Sequence, residues 1–320
     1  MQTFLLRRLA QMAVLLVAIS ALLFLLISFV PGGPFDHLMF GTGKVTSVQI
    51  ERLNEMIGLD QPWYRRYFTW LGRLVQGDWG TSWGVSFGQP VTRIIGDRLG
   101  ATLLLMGISS VLAILVAIPL GIYSAVRQYS VWDYLVTALS YFGLAMPTFW
   151  FGIMMMIIFS VELRWLPTSG MYTPGEEGSP LDLLKHLVMP VLVLALVEVA
   201  VISRFMRSAM LDVLSQDFLR TARAKGLRET VVVMRHGIRN ALIPVITIIG
   251  LRIPVLFAGA VVTEFIFSWP GMGQIFIQGV FASDWPIVQA ILVITAFLVI
   301  LSNLVADVLY AVVDPRIRYA

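Results

Sequence analysis

Six stretches of this sequence, at about 9–30, 101–126, 134–160, 186–207, 241–267 and 286–313, are each apolar for long enough to cross a lipid bilayer as a helix. Roughly 30 Å of hydrocarbon takes about 20 apolar residues to span. Inside lipid, every backbone N–H and C=O must find its partner within the protein, which a helix achieves unaided. Composition agrees: 58% of the 320 residues are hydrophobic, 13% are charged, and the mean hydropathy is +0.83. Soluble domains carry roughly 45–50% apolar and about 25% charged residues. The expected fold is therefore an all-α integral membrane protein with about six transmembrane helices. There is no cysteine, which rules out a disulfide framework or a thiolate metal site. His37, His186 and His236 are too scattered to suggest a histidine metal cluster, so no metal site is expected.

The first stretch follows Arg7-Arg8 and superficially resembles a secretory signal. Its apolar run, Met12 to Val30, exceeds the usual core of about 7–15 residues, and no A-x-A-like site follows. It reads as a retained helix ending at Pro31-Gly32-Gly33-Pro34, and the arginine pair lacks the surroundings of a twin-arginine signal.

Orientation follows from lysine and arginine in the short loops. The segment between spans four and five, with its flanks, carries Arg204, Arg207, Arg220, Arg223, Lys225, Arg228, Arg235 and Arg239, whereas 268–285 carries none. Arg7, Arg8, Arg127, Arg316 and Arg318 fall on the same side as the basic segment. The expectation is a multi-pass membrane protein with both termini in the cytoplasm. Four regions result: 1–30 as N-terminus and first span, 31–98 as an extracytoplasmic insertion, 99–313 as the membrane core including 208–240, and 314–320 as a tail. Lys44, Arg52, Arg65, Arg66, Arg73, Arg93 and Arg98 in 31–98 do not oppose this, because long loops translocate largely regardless of charge.

Within 31–98, Thr46 and Gln49 have capping-box spacing, and Ile50, Leu53 and Ile57 follow at helical intervals. A second helix is predicted from Pro62 to Val75, where Trp63, Tyr64, Tyr67, Phe68 and Trp70 alternate with Arg65, Arg66 and Arg73. That mixture suits the lipid headgroup level, and on an outer face it argues against nucleic acid. Gly41-Thr42-Gly43-Lys44 fails as a phosphate loop, since Val45 and Leu38 stand where Ser/Thr and glycine are needed. No nucleotide site is visible, so this chain is not expected to be an enzyme or to hold a cofactor.

The segment 208–240 is the most informative. Asp217 is placed to cap a short helix running Phe218 to Lys225, with Gly226 at the left-handed C-terminal position. Eight residues make a helix of roughly 12 Å, too short to stand alone. Leu214, Phe218 and Ala222 share one face, while Arg220, Arg223 and Lys225 spread over the rest. Its two chemical readings are a helix lying on anionic lipid and a helix seated in a protein groove.

Arg220-Thr221-Ala222-Arg223-Ala224-Lys225-Gly226, followed by Arg235-His236-Gly237-Ile238-Arg239-Asn240-Ala241-Leu242-Ile243-Pro244, closely resembles the E-A-A-x-x-x-G loop of binding-protein-dependent ABC importer permeases. More narrowly it resembles the dipeptide/oligopeptide branch, and the likeness runs nearly the whole chain. It includes Leu5-Leu6-Arg7-Arg8-Leu9, Gly58-Leu59-Asp60-Gln61-Pro62, Gly77-Asp78-Trp79-Gly80 and Arg98-Leu99-Gly100-Ala101-Thr102-Leu103. Pro119-Leu120-Gly121, Pro147-Thr148-Phe149-Trp150, Thr263-Glu264, Trp269-Pro270-Gly271-Met272-Gly273 and Asp314-Pro315-Arg316-Ile317-Arg318 continue it. Each is weak alone, but their order and spacing are specific, and they match the first of two homologous permeases. Two departures stand out. Arg220, Thr221 and Ala222 replace the general Glu-Ala-Ala, as is familiar in the peptide branch, and Ile238-Arg239 occupy the place of Leu-Pro, with Pro244 five residues later.

The resemblance implies a type I ABC importer permease fold in the bacterial cytoplasmic (inner) membrane, forming half of a pathway for di- or oligopeptides. Its implied partners are a second homologous permease, making a heterodimer, two cytoplasmic ATPase subunits that bind the ATP and Mg, an extracytoplasmic solute-binding protein, and membrane lipid. Docked in an ATPase groove, the short helix would engage through Leu214, Asp217, Phe218, Ala222, Arg223, Gly226 and Leu227.

Glu198 and Arg252 lie near mid-depth in spans four and five, where ionisable groups are costly and face a partner or water. They form either an ion pair locking the two helices or part of the path meeting a peptide's charged terminus. Glu264, near the outer mouth, faces either the binding protein or a gate, and Asp307 reads as structural. An ion-driven secondary transporter is the alternative class. Against it, no pair of Gly/Pro-broken helices occupies matching halves. An intramembrane enzyme would need an H-E-x-x-H or nucleophile–base arrangement that the spans do not offer.

Overall fold

A computed structural model describes residues 2–30, 52, 58 and 60–313 of the chain. The Thr46–Gln49 capping signal, Gly41–Lys44, His37, the Pro31–Pro34 boundary, Arg316 and Arg318 lie outside the described residues, and so does the side chain of Asp307. Ten helices are described: α1 (Gln2–Ser28), α2 (Trp63–Val75), α3 (Val91–Val126), α4 (Val131–Ala145), α5 (Thr148–Met156), α6 (Pro180–Leu214), α7 (Asp217–Ala224), α8 (Ile238–Ile266), α9 (Met272–Phe281) and α10 (Trp285–Val313). A π-helical turn, Ile157–Glu162, extends α5; Glu229–Val231 and a second such turn, Val232–Gly237, lead straight into α8. No strand occurs among the described residues, only an isolated bridge between Thr81 and Pro90.

Five of the expected spans are single helices, and the third is broken. A continuous helix was expected over 134–160, but α4 and α5 meet at 101°. The cause is Pro147, which has no N–H to donate and pushes the residue before it out of the helical region. Met146 accordingly has φ −84° and ψ 124°, and Pro147 has φ −61° and ψ 129°. Three other boundaries move outward. Helix α3 begins at Val91 rather than near 101, so its 36 residues exceed what a bilayer requires. Helix α6 begins at Pro180, where proline costs no hydrogen bond, behind Ser179 accepting from the N–H of Asp182. It runs on to Leu214. The short helix α9, inside the loop 268–285, is an element the hydropathy pattern did not reveal.

The chain divides into two compact units. Residues 1–102 and 270–300 form the first. There α2 packs on α1, with the Tyr67 hydroxyl donating to the carbonyl of Val17 (3.1 Å) and lying 3.0 Å from Ser20 Oγ. Phe24 meets Tyr67 and Trp70 at 5.6 Å each, and Arg66 stacks over Phe24. The buried Asp284, in the turn before α10, accepts hydrogen bonds from Ser82 Oγ and from the N–H groups of Gly84 (2.9 Å) and Val85 (3.0 Å). This clasp pins the 82–85 loop to the α9–α10 turn.

Residues 103–269 and 301–320 form the second unit. Its centre is α6, which packs against α4, α5 and α8. Ala117, Ala125, Ile202, Met206, Met210, Val233, Ala241 and Val245 make one core cluster, and Met155, Met189, Val193 and Phe267 another. Contact between α3 and α6 is tight enough to require Gly121: a Cβ there would stand 2.6 Å from both Met206 Cβ and the Ser203 carbonyl.

Candidate coupling segment and buried charges

Helix α6 ends at Leu214, and after Ser215 and Gln216 the chain starts α7. The expected cap is shifted by one residue. Gln216 occupies the N-cap position without a side-chain hydrogen bond, and Asp217 is the first helical residue, paired instead with Arg220 at 3.3 Å. An acidic residue in the first turn still favours the helix through its dipole. At the other end Gly226 has φ +78°, the left-handed conformation expected of it, and nothing stands within 4 Å of where its Cβ would be.

The apolar set expected on one face of α7 is divided in the structure. Leu219 and Ala222 are buried against Val232 of the following turn, with Val213 and Leu214 beside them. Phe218 and Leu227 point outward, 43% and 41% exposed. Of the residues expected to meet an outside groove, Ala222 is thus already buried within this chain, and Leu214 is partly buried. A two-turn helix needs such packing to exist at all, and Leu219 is the residue of α7 that is fully buried. Sequence reasoning missed Leu219, although it falls at i−3 from Ala222, the spacing that puts both on one face. Arg223 is also used internally: its Nη2 and Nε donate to the Glu229 carboxylate at 2.8 and 3.0 Å. That hydrogen-bonded fork, with the charge of Glu229 behind it, raises the Arg223 pKa above its ordinary value. Segment 213–233 therefore packs on itself and leaves Phe218 and Leu227 exposed.

In the span region, Arg252 Nη2 donates to Glu198 Oε1 at 2.8 Å and Nε to Oε2 at 3.2 Å. Glu198 is buried, and the Arg252 side chain keeps 22% exposure. The two residues are brought together as a two-pronged pair between α6 and α8, the strong form of such a contact. Glu264 has no exposed surface in this chain. In the turn after α8, Ser268 takes φ +48°, and the N–H of the buried Trp269 donates to the Glu264 carbonyl at 2.8 Å.

A second buried charge site escaped the sequence reading. Asp133, in the first turn of α4, receives Arg207 Nε at 2.9 Å, Arg207 Nη2 at 3.0 Å, the Tyr129 N–H at 3.0 Å, and the Ser124 hydroxyl. Ser124 Oγ also accepts from Arg207 Nε at 3.0 Å. Arg207 had been counted only as a charge favouring one side of the membrane. The usable signal was Ser130-x-x-Asp133, which places the acid at a helix start: its N–H donates to Ser130 Oγ at 3.2 Å.

Several helices long and apolar enough to cross a membrane, with a short basic helix between two of them, define a multi-span membrane protein. Comparison with known proteins supplies the rest. Residues 117–319 match the family described as binding-protein-dependent transport system inner membrane component, and residues 1–106 match its N-terminal counterpart. The chain belongs to this family. It is 46% identical over 319 residues to the oligopeptide transport system permease protein AppB of Bacillus subtilis (strain 168), with all of both chains covered. Against the dipeptide transport system permease protein DppB of Escherichia coli (strain K12) it is 36% identical over 340 residues, covering 100% of this chain and 99% of that one. Against the glutathione transport system permease protein GsiC of Escherichia coli O1:K1 / APEC it is 39% identical, again with both chains fully covered. Among solved structures, the MetNI methionine ABC transporter in inward-facing conformations matches with TM-score 0.57 at 16% identity, covering 70% of this chain and 97% of that chain. The fold is that of an ABC importer permease.

Proposed function

We propose that this chain is one permease of an ATP-driven importer for short peptides, forming half of the pathway beside a second, homologous permease. The observation that carries the reading is likeness along the full length to permeases named for oligopeptides, dipeptides and glutathione, itself a tripeptide. An extracytoplasmic solute-binding protein delivers the peptide, and two cytoplasmic ATPase subunits, which bind ATP and Mg, drive it across. Both termini and the 208–240 segment face the cytoplasm, in line with the arginine distribution.

In this reading α7 is the coupling helix. Phe218 and Leu227 seat in a groove on the ATPase, while Leu219 and Ala222 hold α7 to its own subunit so that a push on the helix reaches α6 and α8. Asp217, Arg220 and Lys225 lie at the rim of the contact. The Glu198–Arg252 pair braces α6 against α8 across the span, where a lone charge would be costly.

Tagging the chain in its host, extracting it in mild detergent and identifying what co-purifies tests the assembly. Two ATPase subunits and a second six-span permease are expected, with ATP-dependent peptide uptake in proteoliposomes. Gly226→Asp is expected to leave the chain in the membrane while uncoupling uptake from ATP hydrolysis. A chain that purifies alone, with uptake that survives ATP removal but collapses with the ion gradient, points instead to a secondary transporter.

A further inference from the structure

Four elements of the second unit meet at one largely buried point, where only the Arg207 side chain keeps 31% exposure. Ser124 is near the end of α3, Tyr129 is in the α3–α4 turn, Asp133 begins α4, and Arg207 is on α6. Asp133 and Ser124 are buried, yet five donor contacts converge on them: two from Arg207 to Asp133, one from Arg207 to Ser124, and one each to Asp133 from Ser124 and the Tyr129 N–H. Tyr129 takes φ +60° to aim its N–H there, a conformation that costs energy in a side-chain-bearing residue.

Stability alone does not account for such a site. A buried ion pair seldom stabilises more than apolar residues of the same shape, and its better-attested use is to fix one geometry. A two-pronged arginine–carboxylate contact sets orientation as well as distance. The position says which geometry is fixed: Arg207 lies about two helical turns before the end of α6, directly ahead of α7. Away from that end, α6 is held to the same two helices again. Ser140 and Ser203 lie 3.1 Å apart at the α4–α6 contact, and Gly121 lets α3 close on Ser203 and Met206.

We infer that Arg207, Asp133 and Ser124 form the joint through which movement of α7 is transmitted to the α3–α4 turn, so that α3, α4 and α6 move as one body. Arg207 and Asp133 are positioning residues that touch neither peptide nor ATPase. The inference rests on the reading of α7 as the coupling helix.

The test uses the whole transporter reconstituted in proteoliposomes. Asp133→Asn removes the charge and keeps the shape. ATP hydrolysis is expected to continue while peptide carried per ATP falls by about 5-fold or more, the scale of ordinary coupling between sites. The charge exchange Asp133→Arg with Arg207→Asp is expected to recover part of that ratio. An assembled Asp133→Asn transporter with an unchanged ratio overturns the joint, since a purely structural lock would lower the amount of complex and leave peptide per ATP alone. If Gly226→Asp also transports with a normal ratio, the coupling-helix reading itself has failed; if Gly226→Asp is uncoupled and Asp133→Asn is not, only the joint has failed. A second measurement does not depend on Asp133→Asn folding. The chain has no cysteine, so spin labels at Gln128→Cys and Ser215→Cys report the turn and the end of α6 without background. Their separation is expected to change by less than about 2 Å between nucleotide-free and nucleotide-trapped states, as within a single moving body. A larger change overturns the inference.

Discussion

At the residue scale, two charge pairs are built alike and are not equally visible from sequence. Glu198 and Arg252 stand out because they interrupt apolar runs, and adjacency of spans four and five made their pairing a natural expectation. Asp133 and Arg207 each sit at the end of a run, where charges are ordinary, and 74 positions separate them. No local pattern announces a contact of that reach. Glu264 is different again: its place beside a loop left two readings open, the binding protein or a gate, and within this chain the side chain is fully buried. The Glu198–Arg252 pair gives a direct prediction. Removing one partner strands the other, so Glu198→Gln or Arg252→Gln is expected to cost about 3–5 kcal/mol if the survivor stays buried. Replacing both by leucine and methionine should cost far less. Thermal unfolding of the purified variants in detergent separates the cases, and single variants as stable as the double would refute the pairing argument. Gly121→Ala should cost about 1–3 kcal/mol in the same assay, because the added methyl meets the Ser203 carbonyl and Met206 at 2.6 Å.

Among the elements, hydropathy located the five helices long and apolar enough to cross a bilayer, and the bent pair between them, because length and apolarity are local properties that the bilayer enforces. It did not locate α9, whose 10 residues are too few to register as a span. Nor did it give the bend at Met146-Pro147, although Pro147 was in plain view. Proline inside an apolar run says that the helix is disturbed but not by how much; the two arms meet at 101°, and both pack on α6. Helix α7 was legible at its C-terminal end, where Gly226 acts locally, off by one residue at its start, and illegible on its faces, since Val232 arrives from further along the chain. This yields a prediction about Gly226. At φ +78° a Cβ costs about 1–2 kcal/mol even with open space around it. Gly226→Ala should loosen α7 from Val232 and raise amide exchange in 217–224 by roughly 5- to 30-fold. Gly226→Asn, a residue more at home in that conformation, should raise it less. Equal exchange in all three proteins would show that Gly226 does not set the docking of α7.

For the whole molecule, the decisive property is which side each loop occupies, and that is a matter of counting spans and arginines. A broken third span still has to count as one crossing if the basic 208–240 segment and the α3–α4 turn are to share a side. Were α4 and α5 instead to dip into the membrane and return, only five crossings would remain and the two would face opposite compartments. The difference is measurable because every native position is free of cysteine. Single cysteines at Gln128 and Met234, both exposed, should stay unlabelled by a membrane-impermeant maleimide in intact cells and react once the membrane is opened. Cysteines at Phe87 and Phe281, 75% and 80% exposed, should react in intact cells. Labelling of Gln128 from outside with Met234 still protected would mean that the bent pair is re-entrant, and the six-crossing topology would fall with it. Labelling of Met234 from outside would do more, since it would turn α7 away from any cytoplasmic ATPase and remove the coupling reading altogether.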